Sequence, residues 1–356
     1  MHEQEGVLTA IVGSYPKPEY VYANSGRELL DRFGGGAFAE RRQEVGDKAF
    51  DALLDEAAVQ AISDQNQAGI DIITDGEERR DHYVMHVVDR MGGVDAENRA
   101  NTSIRGGTAH RQAPRVVGRL AHPSDLVVDE FLFTQERAKG TAKIGLPGPS
   151  TVADCVADEF YGDKEQLAYD YAAAIRHEVK ALIDVGCTAI QFDDPVLLRY
   201  PNEAKAWGLD ALEQCFAGYE HMASFIVHIC CGYPDRPLEA QGVAYKADSG
   251  YYRDVLSWLS ASTLHAVSIE GAQSNLDASV LDAIGQKTVM LGVLDVGDNT
   301  VESVDNLVAR GREALEYLPK EQLILAPDCG MVQITQEAAK AKLTNLALAA
   351  RQLNED

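Results

Sequence analysis

Two kinds of apolar patterning alternate along this chain. Short runs dense in Val, Ile and Leu, each closing in a glycine-containing or polar turn, occupy residues 9–16 (TAIVGSYP), 69–77 (GIDIITDGE), 142–149 (AKIGLPGP) and 188–195 (TAIQFDDP). Four more follow at 224–232 (SFIVHICCG), 264–272 (LHAVSIEGA), 288–297 (TVMLGVLDVG) and 323–330 (LILAPDCG). Their length and their branched residues predict buried β-strands. Between them, apolar residues recur at spacings of three and four, which predicts amphipathic helices over 164–186 (stopping at Gly186), 251–260, 275–285, 303–318 and 335–353.

Eight such strands alternating with helices read as an α/β fold, a (β/α)8 TIM barrel; a doubly wound open sheet also alternates but does not call for eight units. Two excursions interrupt the alternation. Residues 17–60 look helical and charged, and residues 78–140 contain PRVVG (114–118) and SDLVVDEFLF (124–133), which read as strands outside the barrel. With no further repeat and no low-complexity tract, residues 1–356 read as one catalytic barrel domain.

Charge narrows the partners. The net charge of −24, from 56 acidic against 32 basic residues, would be repelled by a phosphate backbone or an anionic membrane, so neither nucleic acid nor membrane is expected as a partner. The first residues lack a basic segment followed by a long apolar stretch, and no window approaches the roughly 20 apolar residues of a membrane span. Six cysteines scattered through a chain of this length are not the dense framework of a small secreted domain; they fit a reducing cytoplasm, where thiols stay free, catalytic or metal-bound.

The chemistry of a TIM barrel collects where its strands end. His228 and Cys230 are two apart at the end of one strand, so their side chains share a face, while Cys231 points the other way. The next strand ends at Glu270 and the last at Cys329. A His, a Cys, a Glu and a second Cys can thus meet at one rim, and zinc accepts all four. Cysteine is commonly buried, so Cys155, Cys187, Cys215 and Cys231 read as core. Ser14, Glu77, Asp193 and Asp194 also stand at strand ends. Asp75 and Asp194 read as caps or loop charges, whereas Glu77 and Asp193 are the candidates for acid–base catalysis or for holding an ammonium group.

In this order, VGSYPKP, DIITDGEERRD, LPGPST, IQFDDP, VHICCGY, IEGAQSNLD, LGVLDVGD and APDCGM resemble the catalytic half of the cobalamin-independent methionine synthases, in a short single-barrel form. The resemblance implies that His228, Cys230, Glu270 and Cys329 are zinc ligands and that Ser14, Glu77 and Asp193 bind the backbone groups of homocysteine. It also implies the reaction: methyl transfer to the homocysteine thiol, giving methionine. Zinc coordination removes the proton from a thiol of pKa about 8.5 and leaves the nucleophilic thiolate.

Three departures from the long enzymes point away from polyglutamyl folate as methyl donor. There is no second barrel, residues 97–118 contain no aromatic residue, and Gly297 stands where the long enzymes carry an acidic histidine. A methylated corrinoid, either methylcobalamin or a corrinoid protein, needs no proton to release its methyl group and fits these absences. Two other readings stay open. Related barrels use zinc to alkylate coenzyme M with an epoxide; a sulfonate would want Arg79, Arg80 or Arg199 at the mouth. A non-catalytic zinc-stabilised docking barrel is the third.

Overall fold

The computed structural model describes residues 6–22, 37–107, 109–233, 240–242 and 245–355. In chain order the strands are β1 (Leu8–Thr9), β2 (Ile72–Ile73), β3 (Gly92–Ile104), β4 (Ala109–Ala121), β5 (Thr141–Ala142) and β6 (Ile144–Pro147). They continue with β7 (Ala157–Asp158), β8 (Ala189–Asp193), β9 (Ser224–Ile229), β10 (Ala266–Ile269), β11 (Thr288–Leu294) and β12 (Leu323–Pro327). Seven form a curled sheet in the order β1-β12-β11-β10-β9-β8-β6, and every neighbouring pair is parallel. The gap between β1 and β6 is filled by β2, which bridges Ala10 on one side and pairs with β5 on the other. Since β5 leads directly into β6, the ring closes on eight strand positions as a (β/α)8 TIM barrel.

A side-chain period of two decides what enters the ring. Ala10, Val12, Ile72, Ile226, Ala266, Met290, Ile324 and Ala326 form a buried cluster of their own inside the barrel. Removing the larger of these from water stabilises the fold by roughly 1.5–3 kcal/mol each. The intervening residues, Phe225, Val227, Val267, Val289, Leu323 and Leu325, face outward into a second and larger apolar layer under the helices. Counting on by twos from the interior cluster reaches Ser14, His228 and Ser268, which places these polar groups at the upper end of the ring.

The expected helices appear at Lys164–Asp184, Tyr252–Ser260, Val304–Leu315 and Gln336–Glu355, while the 275–285 segment forms a 3-10 helix at Ala278–Ile284. Residues 17–60 contain helix Ala37–Val45 and the start of Asp47–Ala68; 23–36 lie outside the described residues. PRVVG falls within β4, which pairs with β3 as an antiparallel hairpin. The other expected outlying strand is corrected: SDLVVDEFLF supplies the start of a helix, Val128–Arg137. Its buried residues Val128, Glu130, Phe131 and Thr134 include spacings of three and four, and Asp129 and Glu130 favour the first turn of a helix. Among the described residues no helix is long and apolar enough to cross a membrane.

Candidate metal centre and substrate pocket

Strand register builds the site. Asp193, His228 and Ser268 are direct partners across β8, β9 and β10, so they stand side by side on one level. That pairing puts Ser268 Oγ 2.9 Å from His228 Nδ1, which fixes the ring and leaves Nε2 free to face the rim. Nε2 is buried and has no hydrogen-bond partner among the described residues. Facing it, Cys230 and Cys329 bring their Sγ atoms within 3.6 Å of each other. One ligand atom each from His228, Cys230 and Cys329 lies within 4.8 Å of the other two.

This donor set fits a soft divalent ion. Two thiolates on a tetrahedral zinc stand about 3.8 Å apart, given Zn–S bonds near 2.3 Å. Electrostatics already favour one thiolate. The hydrogen bond with Cys329, together with His228, holds Cys230 well below the usual thiol range, and the same bond with Cys230 raises Cys329. Burial lowers the His228 pKa, but the Cys230 thiolate outweighs it and the pKa is raised.

Glu270 does not join this group of three. Its Oε1 lies 2.6 Å from Lys246 Nζ, and its Oε2 accepts from Cys231 N at 3.2 Å. It is close enough to feel the site's charge. Burial first, then Asp328 and, more weakly, Cys230 push its pKa up to about 7, against the pull of Lys246. Cys155, Cys187, Cys215 and Cys231 are buried, and burial pushes the Cys155 and Cys187 thiols up to about 11 and about 12.

Carboxylates form the other wall. Ser14 Oγ donates to Glu77 Oε2. A Cβ on Gly145 would lie 3.3 Å from Asp193 Oδ2 and 3.4 Å from Glu77 Oε1, so the bare α-carbon opens the space that both carboxylates face. Glu77 has φ of 55°, a left-handed conformation costing on the order of 1 kcal/mol for a residue with a side chain. It is held there by Asp75 Oδ1, which accepts from its N–H at 2.9 Å, and by Lys17 and Arg80 N, which donate to its carbonyl at 2.5 and 3.0 Å. Below Asp193, Gln191 Nε2 donates to Asp193 Oδ1 at 2.7 Å, and Lys143 in turn donates to Gln191. Burial pushes Asp193 up to about 6, with His228 opposing and Glu77 adding.

The cap readings differ in detail. Asp194 accepts from Ser150 N, Thr151 N and Thr151 Oγ1 at 3.2, 2.8 and 2.8 Å, at the start of the neighbouring helix Pro149–Cys155. Asp75 instead pins the turn that carries Glu77.

One cavity of about 220 Å³ joins the two walls, lined by Ser14, Glu77, Asp193, His228, Cys230 and Cys329. Of the three arginines raised by the sequence, Arg199 lines it. Arg79 is turned to Asp55 and Phe133, and Arg80 is buried on Glu130 and Gly145 O, with its Nη1 also 3.4 Å from Glu77 Oε1. The cavity also takes Arg105 and Arg111 from the β3–β4 hairpin, and Tyr83, Tyr233 and Tyr245, none of which the strand-end rule could find. Gln191, Lys143 and Ser268 were within its reach: each is reached by counting in register or by twos along strands already identified.

Comparison with known proteins agrees with this architecture. A family model described as the catalytic domain of cobalamin-independent synthase matches residues 7–352. The methionine synthase of Sulfurisphaera tokodaii is 26% identical over 357 residues, covering 100% of this chain and 95% of that protein. That of Saccharolobus solfataricus is 27% identical, covering 98% and 95%. A B12-independent methionine synthase from Shewanella sp. W3-18-1, solved in complex with selenomethionine, superposes with a TM-score of 0.86 at 26% identity and covers 98% of each chain. The matched span takes in all the barrel strands, and this chain therefore belongs to the cobalamin-independent synthase catalytic-domain family.

Proposed function

We propose that this protein is a zinc-dependent methyltransferase that moves a methyl group to the thiol of homocysteine, forming methionine, with residues 1–356 acting as one catalytic barrel. One observation carries the reading: the buried, unpartnered His228 Nε2 and the paired Cys230 and Cys329 sulfurs open onto the same cavity as Glu77 and Asp193. The first group suits a thiol-activating metal, and the second an ammonium. The relatives named as methionine synthases, and the relative in complex with selenomethionine (the selenium counterpart of the assigned product), support it.

His228, Cys230 and Cys329 would hold the zinc, with Glu270 available as a fourth ligand. Zinc supplies the means to keep the substrate sulfur deprotonated at neutral pH. Ser268 sets the His228 ring so that Nε2 faces the rim. Glu77, steadied by Ser14, and Asp193, steadied by Gln191, hold the substrate ammonium, so its sulfur points at the cluster. Fixing both ends of a flexible amino acid removes rotational freedom before reaction, which lowers the barrier to methyl transfer. An open cavity beside the cluster supports catalysis over a purely structural metal, which is normally enclosed by four ligands.

For the donor we propose methylcobalamin or a corrinoid protein rather than polyglutamyl folate. Asp295 accepts the N–H of Gly297 at 2.7 Å, and glycine offers no acid to protonate a departing folate nitrogen. A second reading, alkylation of an anionic thiol such as coenzyme M, draws on Arg105, Arg111 and Arg199 lining the cavity. The carboxylate pair weighs against it, because a sulfonate would be repelled there. The test is to give zinc-loaded protein homocysteine with methylcobalamin and with methylfolate separately. Methionine from methylcobalamin is expected. Thioether formation from coenzyme M and an epoxide, with no methionine from either donor, would overturn the proposal.

A further inference from the structure

A lysine is buried in the barrel wall. Lys143, between β5 and β6, is 1% exposed, and its backbone N–H donates to Ile73 O on β2 at 2.8 Å, which fixes its place in the ring. Its Nζ donates to Val12 O at 2.7 Å and to Gln191 Oε1. Both of these acceptors are neutral. Gln191 stands level with Ile226, a member of the apolar cluster that fills the ring, and is itself fully buried. Its Nε2 donates to Val12 O at 2.9 Å and to Asp193 Oδ1 at 2.7 Å. Polar side chains are costly in an apolar interior unless their groups are matched. Here the matching runs in one direction, from Lys143 through Gln191 to Asp193.

From this chain of hydrogen bonds we infer that Lys143 is a positioning residue for the substrate ammonium, acting through Gln191 on Asp193. The inference rests on the ammonium site proposed above. The amide divides the two oxygens of Asp193. Oδ1 is taken by Gln191, whereas Oδ2 is the atom 3.3 Å from where a Gly145 Cβ would stand, facing the open space. A lysine bonded directly to Asp193 would fill the ammonium's place with a cation of the protein's own. Set one amide further back, it holds the carboxylate without covering it. Burial pushes the Lys143 pKa down to about 7, against Asp193 and Glu77, the two carboxylates whose charge it feels. The arrangement tolerates loss of that proton, because an amine still has two N–H groups for its two acceptors. Without the lysine, Gln191 Oε1 would be a buried acceptor stripped of its donor, and the amide would turn toward the cavity to recover one from water. Its hold on Asp193 would go with it.

The test compares two ligands of the zinc-loaded protein by titration calorimetry: homocysteine, and 4-mercaptobutanoate, which keeps the thiol and the carboxylate and lacks the amino group. Wild type should prefer homocysteine. K143M should lose about 10-fold of that preference through weaker homocysteine binding, the lower end of what a charge-assisted hydrogen bond contributes, because Lys143 acts at one remove. Its affinity for 4-mercaptobutanoate and its zinc content should match wild type, which a general loosening of the barrel would not allow. Q191M should lose the preference likewise, and it decides the matter if K143M does not fold. In a D193N background, K143M should cost nothing further, since Lys143 acts through that carboxylate. A wild-type preference in K143M or Q191M, a parallel loss for both ligands, or an undiminished K143M effect in D193N would overturn the inference. A wild-type protein with no preference for homocysteine would instead overturn the ammonium site on which it rests.

Discussion

The Sγ atoms of Cys230 and Cys329 lie 3.6 Å apart although 99 positions separate them along the chain. Two strands, β10 and β11, stand between the strands that deliver them, so the contact spans the rim and depends on ring closure. Held thiol to thiolate, the pair needs only a cation to become two ligands. Replacing Cys329 with Ser should therefore remove most of the bound zinc, while the barrel, whose core lies below and around the site, keeps its melting temperature to within a few degrees. Metal analysis and thermal melting of the purified variant check this; full zinc occupancy in C329S would contradict it.

Asp193 is placed beside the His228–Cys230–Cys329 cluster but outside it. Asp193→Asn should leave zinc content unchanged and weaken homocysteine binding by roughly 10- to 100-fold, the loss of one charge-assisted hydrogen bond of about 1.5–3 kcal/mol. Titration calorimetry reads this directly. Unchanged affinity would move the ammonium away from Asp193 and favour an anionic thiol held by Arg199.

Gly145 tests the pocket from a different side. A methyl group added there would press on Asp193 Oδ2 and Glu77 Oε1 at 3.3 and 3.4 Å, two carboxylates that Gln191 and Ser14 hold by hydrogen bonds. Gly145→Ala should raise the KM for homocysteine about fivefold or more, since overpacking by a methyl group costs roughly 1 kcal/mol or more. Zinc content should be unaffected. An unchanged KM would mean that the ammonium is bound elsewhere.

Glu78 gives a pH signature unconnected with the metal. It is fully buried, and neither carboxylate oxygen has a hydrogen-bond partner among the described residues. Burial pushes its pKa from 4.5 to about 8, with Lys17 opposing. Between those values the folded protein keeps a proton that the unfolded chain has lost, so stability from this group falls as pH rises and levels off above about 8. Glu78→Gln should melt higher than wild type, with a gap that widens from pH 5 to pH 8 and reaches on the order of a few kcal/mol. A gap independent of pH would show that Glu78 is ionised in the fold.

How far the sequence reached depended on period and register. The eight strands were legible because parallel strands buried on both faces read as continuous apolar runs. His228 and Cys230 were legible as a pair because a two-residue spacing on a strand fixes a shared face. The strand-end rule also brought out Cys329, even though it breaks the parity of Ile324 and Ala326. What the sequence could not show was the pairing of Glu270 with Lys246, because Lys246 lies in a loop with no period to place it. Arg105 and Arg111 escaped for the same reason: they belong to a hairpin inserted into the barrel, and hairpin docking is set by tertiary contacts. SDLVVDEFLF reads as a strand yet supplies a helix because a run of apolar residues broken by two acids suits either period, and only burial at spacings of three and four, as at Val128, Phe131 and Thr134 and at Glu130 and Thr134, separates helix from strand.

We propose that homocysteine is methylated at a zinc held by His228, Cys230 and Cys329. The most direct test strips the purified protein of metal with a chelator, restores one equivalent of zinc, and follows methionine formation from homocysteine and methylcobalamin by mass spectrometry. Wild-type protein should lose turnover on stripping and regain it with zinc, and C329S should show none under either condition. Methionine formation at an undiminished rate in the stripped protein, or in C329S, would overturn the assignment of the zinc to these residues.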